Sequence, residues 1–170
     1  MESELLQCIE SNGYKLRAVL VTHEHSKHIH GLRTLKRIYQ VEVFAVNSAV
    51  QDSQTTQVKD GEKFAVGPFA VEVISIPGHT ADSVVYMIDN LLFTGDVLTA
   101  GLVGSTASTY GAATQMSRLR NRILSLPGDY TVLPGHGPPS TLKAERTYNA
   151  GIAQFKEERS RRPAFRVNYL

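Results

Sequence analysis

Residues 22–31 read Thr-His-Glu-His-Ser-Lys-His-Ile-His-Gly, which places four histidines within eight residues. The apolar run 16–22 is typical of a buried strand, so the cluster lies on the loop at that strand's carboxyl end. Imidazoles gathered on one loop indicate a metal site. Lys27 stands among them and is a poor neighbour for a metal, because like charges repel at short range.

The elements around this stretch alternate between helix and strand, which predicts an α/β layer arrangement. Apolar spacing predicts helices over 2–12, 31–39, 114–126 and 141–158. Short β-branched runs predict strands over 16–22, 41–46 and 130–135, and two hairpins over 62–78 and 83–95. Cys8 falls within the apolar pattern of the first helix and is predicted to be a small core residue.

Three more loops carry a metal-capable side chain after an apolar strand: His79 in IPGHTADS, Asp96 in FTGDVL and His136 in LPGHGP. A single loop histidine more often makes a hydrogen bond than ligates a metal. Five histidines and a carboxylate at strand ends, mostly beside glycine or proline, together predict a metal centre. A set without thiolate suits Zn²⁺, Fe²⁺ or Mn²⁺, and a position left open to water would make the centre catalytic.

These four segments resemble the metallo-β-lactamase-fold hydrolases, and most closely the small glyoxalase II-like proteins. The resemblance covers about residues 14–150 and implies an αββα sandwich with the site along one edge of its two sheets. Carried over by position, it implies that His23, His25 and His79 hold a first metal. Asp96 would bridge to a second metal held by His28 and His136, about 3.5 Å away. The implied nucleophile is a hydroxide, and the implied substrates are thioesters, lactones or phosphoesters.

Lys27 departs from this resemblance, because the family's first motif reads His-x-His-x-Asp-His. Four consequences are open. In the first, the second metal is lost, with the ammonium in part of its space, and in the second, Lys27 stays neutral beside a metal. In the third, Lys27 points into solvent and a second ion binds weakly, and in the fourth, the site is inactive. The favoured interpretation is the first. Lys27 would then be a catalytic residue that steadies a developing oxyanion beside one metal.

The sequence also departs from the family pattern at its two ends and in the loop 101–111. Only about twenty residues precede His23, where relatives carry about fifty, so part of the N-terminal sheet is expected to be lacking. The apolar surface this would expose predicts a homodimer or higher oligomer. The loop 101–111 lacks the family's arginine and aspartate, and Tyr110 on it is a candidate substrate contact. The glutathione-binding helical domain of full glyoxalase II enzymes is also expected to be lacking, which weakens the case for a glutathione thioester.

Bulk properties favour one soluble domain over residues 1–170, with a basic tail at 156–170. A net charge of +2 without a basic stripe argues against nucleic-acid binding. The single cysteine argues against secretion, and no apolar run is long enough to cross a membrane. We therefore expect a cytoplasmic protein.

Three functions follow from these observations. The leading hypothesis is a hydrolase that uses a metal-activated water on a small-molecule thioester or other ester. The second is a mononuclear iron oxygenase resembling the persulfide dioxygenases, with His23, His79 and Asp96 as its ligands. The third is an inactive relative with a structural or binding role.

Overall fold

Two β-sheets, packed face to face, form the centre of the fold. The computed structural model describes residues 2–51 and 53–154. The helices are α1 (Glu2–Ser11), α2 (Ser26–Ile29), α3 (Leu32–Ile38), α4 (Thr109–Arg118) and α5 (Leu142–Tyr148), with a π-helical turn at Leu119–Ile123 and a helical stretch over 150–154. The strands are β1 (Ala18–Leu20), β2 (Glu42–Ala45), β3 (Ala49–Val50), β4 (Ser53–Gln54), β5 (Thr56–Gln57), β6 (Lys63–Val66), β7 (Phe69–Ser75), β8 (Val84–Ile88), β9 (Leu91–Gly95), β10 (Leu98–Thr99), β11 (Leu102–Val103), β12 (Thr131–Pro134) and β13 (Ser140–Thr141).

The smaller sheet has three parallel strands in the order β1-β2-β5. The chain passes from β1 through α2 and α3 before it returns in β2, because parallel neighbours need a crossover. The larger sheet has six strands in the order β13-β12-β9-β8-β7-β6, of which only the pair β9–β12 is parallel. The carboxyl ends of β1, β9 and β12 each lead directly into a segment that carries histidine or aspartate.

Three apolar clusters separate four layers of structure. Between the two sheets lie side chains of Phe44, Val73 and Tyr86, and the Tyr86 hydroxyl donates to the Val21 carbonyl at 3.0 Å across this interface. Leu32 of α3 packs with Val43 on the outer face of the small sheet. On the outer face of the large sheet, the strands pack against α4, the π-helical turn and α5. The layer order is therefore helix, sheet, sheet, helix, and the predicted αββα fold is confirmed.

The Glu145 carboxylate ties the two loops of the site edge to the helical layer. It is buried, and it accepts hydrogen bonds from the Gly101 N–H, the Ser140 hydroxyl and the Asn149 amide. Asn149 breaks the helix predicted over 141–158, because its Oδ1 accepts from the Ile152 N–H and so begins a new helical turn. The rest of that prediction, and the basic tail 156–170, lie outside the described residues.

Two predictions about local structure were wrong. Cys8 is exposed, because α1 buries only Ile9 of the apolar positions that predicted its core face. The loop predicted over 101–111 contains β11 and the first turn of α4, which begins where the Ser108 hydroxyl accepts from the Gly111 N–H. Among the described residues, no helix is both long and apolar enough to cross a membrane.

Candidate metal centre

The carboxylate of Asp96 stands at the centre of four imidazoles. Its Oδ2 lies 3.3 Å from Nε2 of His28, 3.6 Å from Nε2 of His136, 3.7 Å from Nε2 of His79 and 3.8 Å from Nε2 of His23. The ring of His25 joins from the side, with Nδ1 at 3.1 Å from Nε2 of His79. All six predicted ligands are therefore brought together.

The six side chains form two groups that share Asp96. The first group comprises His23, His25, His79 and Asp96, and the second comprises His28, His136 and Asp96. In each group the potential ligand atoms lie within 4.8 Å of one another, so small side-chain movements would bring them onto one ion. The division matches the two ligand sets that the resemblance implies, and the roles of these residues as ligands remain a proposal.

Two of the imidazoles have a hydrogen-bond partner at Nδ1, and for His79 that partner fixes the tautomer. Nδ1 of His79 lies 2.7 Å from the Ser105 carbonyl oxygen, which can only accept, so the proton is on Nδ1 and Nε2 keeps its lone pair. Nδ1 of His23 lies 3.2 Å from the Thr22 hydroxyl, which leaves its Nε2 facing Asp96. Such partners orient metal ligands in known sites.

The polar atoms that face the centre include several that lack a partner. Nε2 of His23, Nε2 of His28 and Oδ1 of Asp96 are buried without a hydrogen bond in the described part of the chain. Buried polar groups are rarely left unsatisfied, so these atoms call for a ligand. A divalent ion accepts lone pairs from imidazole and carboxylate, and the donor set therefore fits a metal.

The electrostatics of the centre favour the neutral form of His23 and His28, because the pKa of each is lowered. Burial, and then the neighbouring His28, lower the pKa of His23 from 6.5 to about 4, although Asp96 acts in the opposite direction. Burial likewise lowers the pKa of His28. Neutral imidazoles can donate a lone pair to an ion at neutral pH, whereas imidazolium ions cannot.

Glycines let the ligand loops close around this cluster. A Cβ at Gly135, just before His136, would lie under 3.0 Å from the His28 ring and 2.6 Å from Oδ1 of Asp96. Gly95, just before Asp96, has φ +50, a conformation that glycine adopts at little cost. The glycines that stand beside His136 and Asp96 in the sequence thus correspond to close approach at Gly135 and backbone conformation at Gly95.

Lys27 lies apart from the cluster. Its side chain is exposed and lines a small apolar pocket of about 90 Å³ with Leu5 and Leu6 of α1 and Leu35 of α3. Lys27 forms no ion pair with Asp96, although both residues lie in the described part of the chain. The expected role of Lys27, with its ammonium in the second metal's space or beside an oxyanion, stays a prediction.

Tyr110 is 81% exposed at the start of α4, and the structure records no contact between it and the six clustered side chains in the described residues. His30, on the same loop as the ligands, lines the pocket beside Lys27 and belongs to neither ligand group. Both residues are therefore peripheral to the cluster in this structure.

Sequence reasoning missed the residues that support the ligands. Asp82 accepts the Glu24 N–H at 2.9 Å and so fixes the histidine loop. Gln115 is buried in α4 and donates to the Gly104 carbonyl at 2.9 Å, which steadies the loop that contacts His79. Asp82 stood within the motif IPGHTADS, whereas Gln115 had no local signal beyond its place in an amphipathic helix.

Comparisons with known proteins agree with this arrangement. The family model described as "Metallo-beta-lactamase superfamily" matches residues 3–136. Hydroxyacylglutathione hydrolase from Brucella anthropi is 35% identical over 133 residues, covering 75% of this chain and 50% of the relative. The same enzyme from Rhodopseudomonas palustris is 32% identical over 137 residues, covering 78% and 52%. The chain thus spans about half the length of these curated relatives.

Among solved structures, ETHE1 from Myxococcus xanthus superposes with a TM-score of 0.80 at 28% sequence identity. The superposition covers 95% of this chain and 77% of ETHE1.

Proposed function

The chain belongs to the metallo-β-lactamase superfamily, and from this membership we propose that it is a metal-dependent hydrolase of a small-molecule thioester or other ester. The observation that carries the proposal is the placement of Asp96 Oδ2 within 3.3–3.8 Å of four histidine nitrogens. A structural zinc site uses four closed ligands, often with cysteine, whereas this set has no thiolate and offers positions for two ions.

A divalent ion held here would lower the pKa of water to about 7 and so supply a nucleophile at neutral pH. His23, His25 and His79 would hold one ion, and His28 and His136 the other, with Asp96 between them. Zn²⁺ suits the imidazole-rich set best, and Fe²⁺ or Mn²⁺ fit the same donors.

The exposure of the ligands indicates the side from which the substrate approaches. His23 is 1% exposed at the closed end, whereas His136 is 58% exposed at the open end, so substrate approaches past His136 and His25. Oδ1 of Asp96, which is buried without a hydrogen bond in the described residues, would accept a proton from the attacking water as the water oxygen bonds to the thioester carbon. The carbon–sulfur bond then breaks, the accepted proton passes to the sulfur of the leaving thiol, and the carboxylic acid product loses its remaining proton to solvent.

The hydroxyacylglutathione hydrolases support a thioester as the substrate class, because they share 32–35% identity with this chain over 133–137 residues. Since the chain spans about half of those relatives, glutathione as the thiol part is not assumed. The thioesters used to test the proposal should therefore differ in the size and charge of both the acyl part and the thiol part.

The test is hydrolysis of a thioester panel by metal-free protein before and after addition of Zn²⁺, followed by release of free thiol. We expect turnover only with the ion. His28→Ala should abolish it, whereas His30→Ala, the same change two residues along on the same loop, should not, because His30 lies outside both ligand groups. A folded, zinc-loaded protein that cleaves no member of the panel would refute the proposal.

A mononuclear iron oxygenase of the persulfide dioxygenase type is the second candidate, and the likeness to ETHE1 is the observation that favours it. Its ligands would be His23, His79 and Asp96, a facial set of two histidines and one carboxylate. The persulfide sulfur would be oxidised and O₂ reduced. Oxygen consumption by iron-loaded protein with glutathione persulfide, without thioester cleavage, would select it over the hydrolase. Inertness in both assays would favour an inactive relative.

We further propose that the protein is a homo-oligomer. β1 is an edge strand of the small sheet, and its three residues are only partly buried. Edge strands of this kind are commonly covered in native proteins, here by a second copy. Light scattering should give a mass above that of one chain, and a monomer at micromolar concentration would contradict this.

A further inference from the structure

The two ligand groups are unequal in number, burial and support, and we infer that they bind metal with different affinities. The first group would bind an ion tightly, and the second would bind weakly, so that the second ion is gained and lost with the free metal concentration. This inference rests on the metal centre of the proposed function.

Ligand number is the first difference. The first group supplies three imidazoles and a carboxylate, whereas the second supplies two imidazoles and the same carboxylate. Four protein ligands complete a tetrahedral shell, and three leave a position to water. The charge of Asp96 is also shared, because its Oδ2 faces both groups.

Burial is the second difference. In the first group the side chains of His23 and His79 are 1% and 8% exposed, while His25 alone is open. In the second group His28 is 15% exposed and His136 is 58% exposed. Water competes with an exposed ligand, and an exposed side chain loses more rotamer freedom when it binds an ion.

Support from neighbouring groups is the third difference. Nδ1 of His79 is fixed by the Ser105 carbonyl, and Nδ1 of His23 by the Thr22 hydroxyl. No comparable hydrogen bond holds the Nδ1 of His28 or of His136 in the described residues. Loss of such partners weakens metal affinity about 10–100-fold in known sites.

Lys27 explains why the second group is short of a ligand. It occupies the position before His28 where the resembling motif has aspartate, and it is an exposed residue that lines the pocket formed with Leu5, Leu6 and His30. In the proposed arrangement Lys27 does not act as a ligand, and the second group has no carboxylate besides the one that it shares with the first group. The weakness of the second site comes from an absent carboxylate rather than from repulsion.

The test is titration of the metal-free full chain with Zn²⁺ in competition with a chromophoric chelator. We expect two steps, the first tighter by at least about tenfold. Lys27→Asp should tighten the second step about 10–100-fold and leave the first unchanged, whereas Lys27→Ala should leave both within about threefold. His136→Ala should remove only the second step.

Two steps of equal affinity in the wild-type chain would overturn the inference, and so would a second ion that never binds. A gain with Lys27→Ala equal to that with Lys27→Asp would overturn it as well, since repulsion would then be the cause. Lys27 is exposed, so neither substitution threatens folding. These readouts count bound ions, so unequal binding without thioester cleavage would refute the proposed function and leave this inference standing.

Discussion

Substitution of Gly135 by alanine tests whether the ligand loops are packed closely around a metal. The added Cβ would lie 2.6 Å from Oδ1 of Asp96 and under 3.0 Å from Cε1 of His28, where ordinary contacts are 3.4–4 Å. The backbone cannot withdraw easily, because the Gly135 N–H donates to the Gly95 carbonyl at 2.8 Å between two paired strands. The ligand side chains must therefore move.

The size of the effect follows from that crowding. Both atoms have to shift by about 1 Å, whereas metal–ligand distances tolerate about 0.2 Å. Overpacking of this kind costs about 1–3 kcal/mol. The cost falls mainly on the metal-bound state, because the ligands are least free to move there. At about 1.4 kcal/mol per tenfold change, it lowers the Zn²⁺ affinity about 10–100-fold.

The assay is the same chelator competition, paired with urea unfolding of the metal-free protein. Gly128→Ala is the matched control, because Gly128 has φ +79 and its added Cβ would meet no atom within 4 Å. We expect the control to lose about 1–2 kcal/mol of stability to backbone strain and to bind Zn²⁺ normally. A Gly135→Ala protein that binds Zn²⁺ as tightly as the wild type would refute the packing argument.

Three further predictions concern the surroundings of the centre. Burial holds the pKa of His23 at about 4, so between pH 6.5 and 4 only the unfolded chain gains a proton on this histidine. The metal-free protein should therefore lose up to about 3 kcal/mol of unfolding free energy as the pH falls through this window. A urea-unfolding free energy that does not change with pH would contradict this. Asp82→Asn should weaken Zn²⁺ binding about tenfold, because it weakens the hydrogen bond from the Glu24 N–H that fixes the histidine loop. Asp129→Asn is the control, because it weakens a similar bond from the Lys143 N–H and should leave Zn²⁺ binding unchanged. Equal effects of the two variants in the chelator assay would count against this role of Asp82. Tyr86→Phe should cost about 1 kcal/mol of stability without changing metal affinity, since it removes the hydroxyl that donates to the Val21 carbonyl at 3.0 Å and to the Phe44 carbonyl at 3.4 Å between the sheets. A changed Zn²⁺ affinity would show that these bonds also shape the site.

The ligand positions could be predicted from the sequence because each ligand loop follows an apolar strand. The ends of β1, β9 and β12 meet at one edge of the sandwich, so His23, Asp96 and His136 could be assigned to one site without coordinates. The α/β layer arrangement likewise followed from the order of the elements, and the αββα sandwich followed from the resemblance. Long β-branched runs and amphipathic helices give strong local signals.

The two-residue strands gave no such signal, because β3, β4, β10 and β11 are too short for a period to appear. The pocket that Lys27 lines is formed by residues of α1 and α3, which are distant from each other in the sequence. The supporting contacts of Ser105 and Thr22 also depend on three-dimensional packing rather than on residue type. These features are set by tertiary structure, which local patterns do not encode.

The most direct test of a metal centre built on these loops is the metal content of the wild-type chain and of His79→Ala, both purified without added metal and measured by elemental analysis. The account predicts about one tightly held ion per wild-type chain and its loss from the variant, because His79 contributes a buried, oriented nitrogen to the four-ligand group. A folded wild-type chain without a bound ion, or a variant that keeps it, would contradict the account.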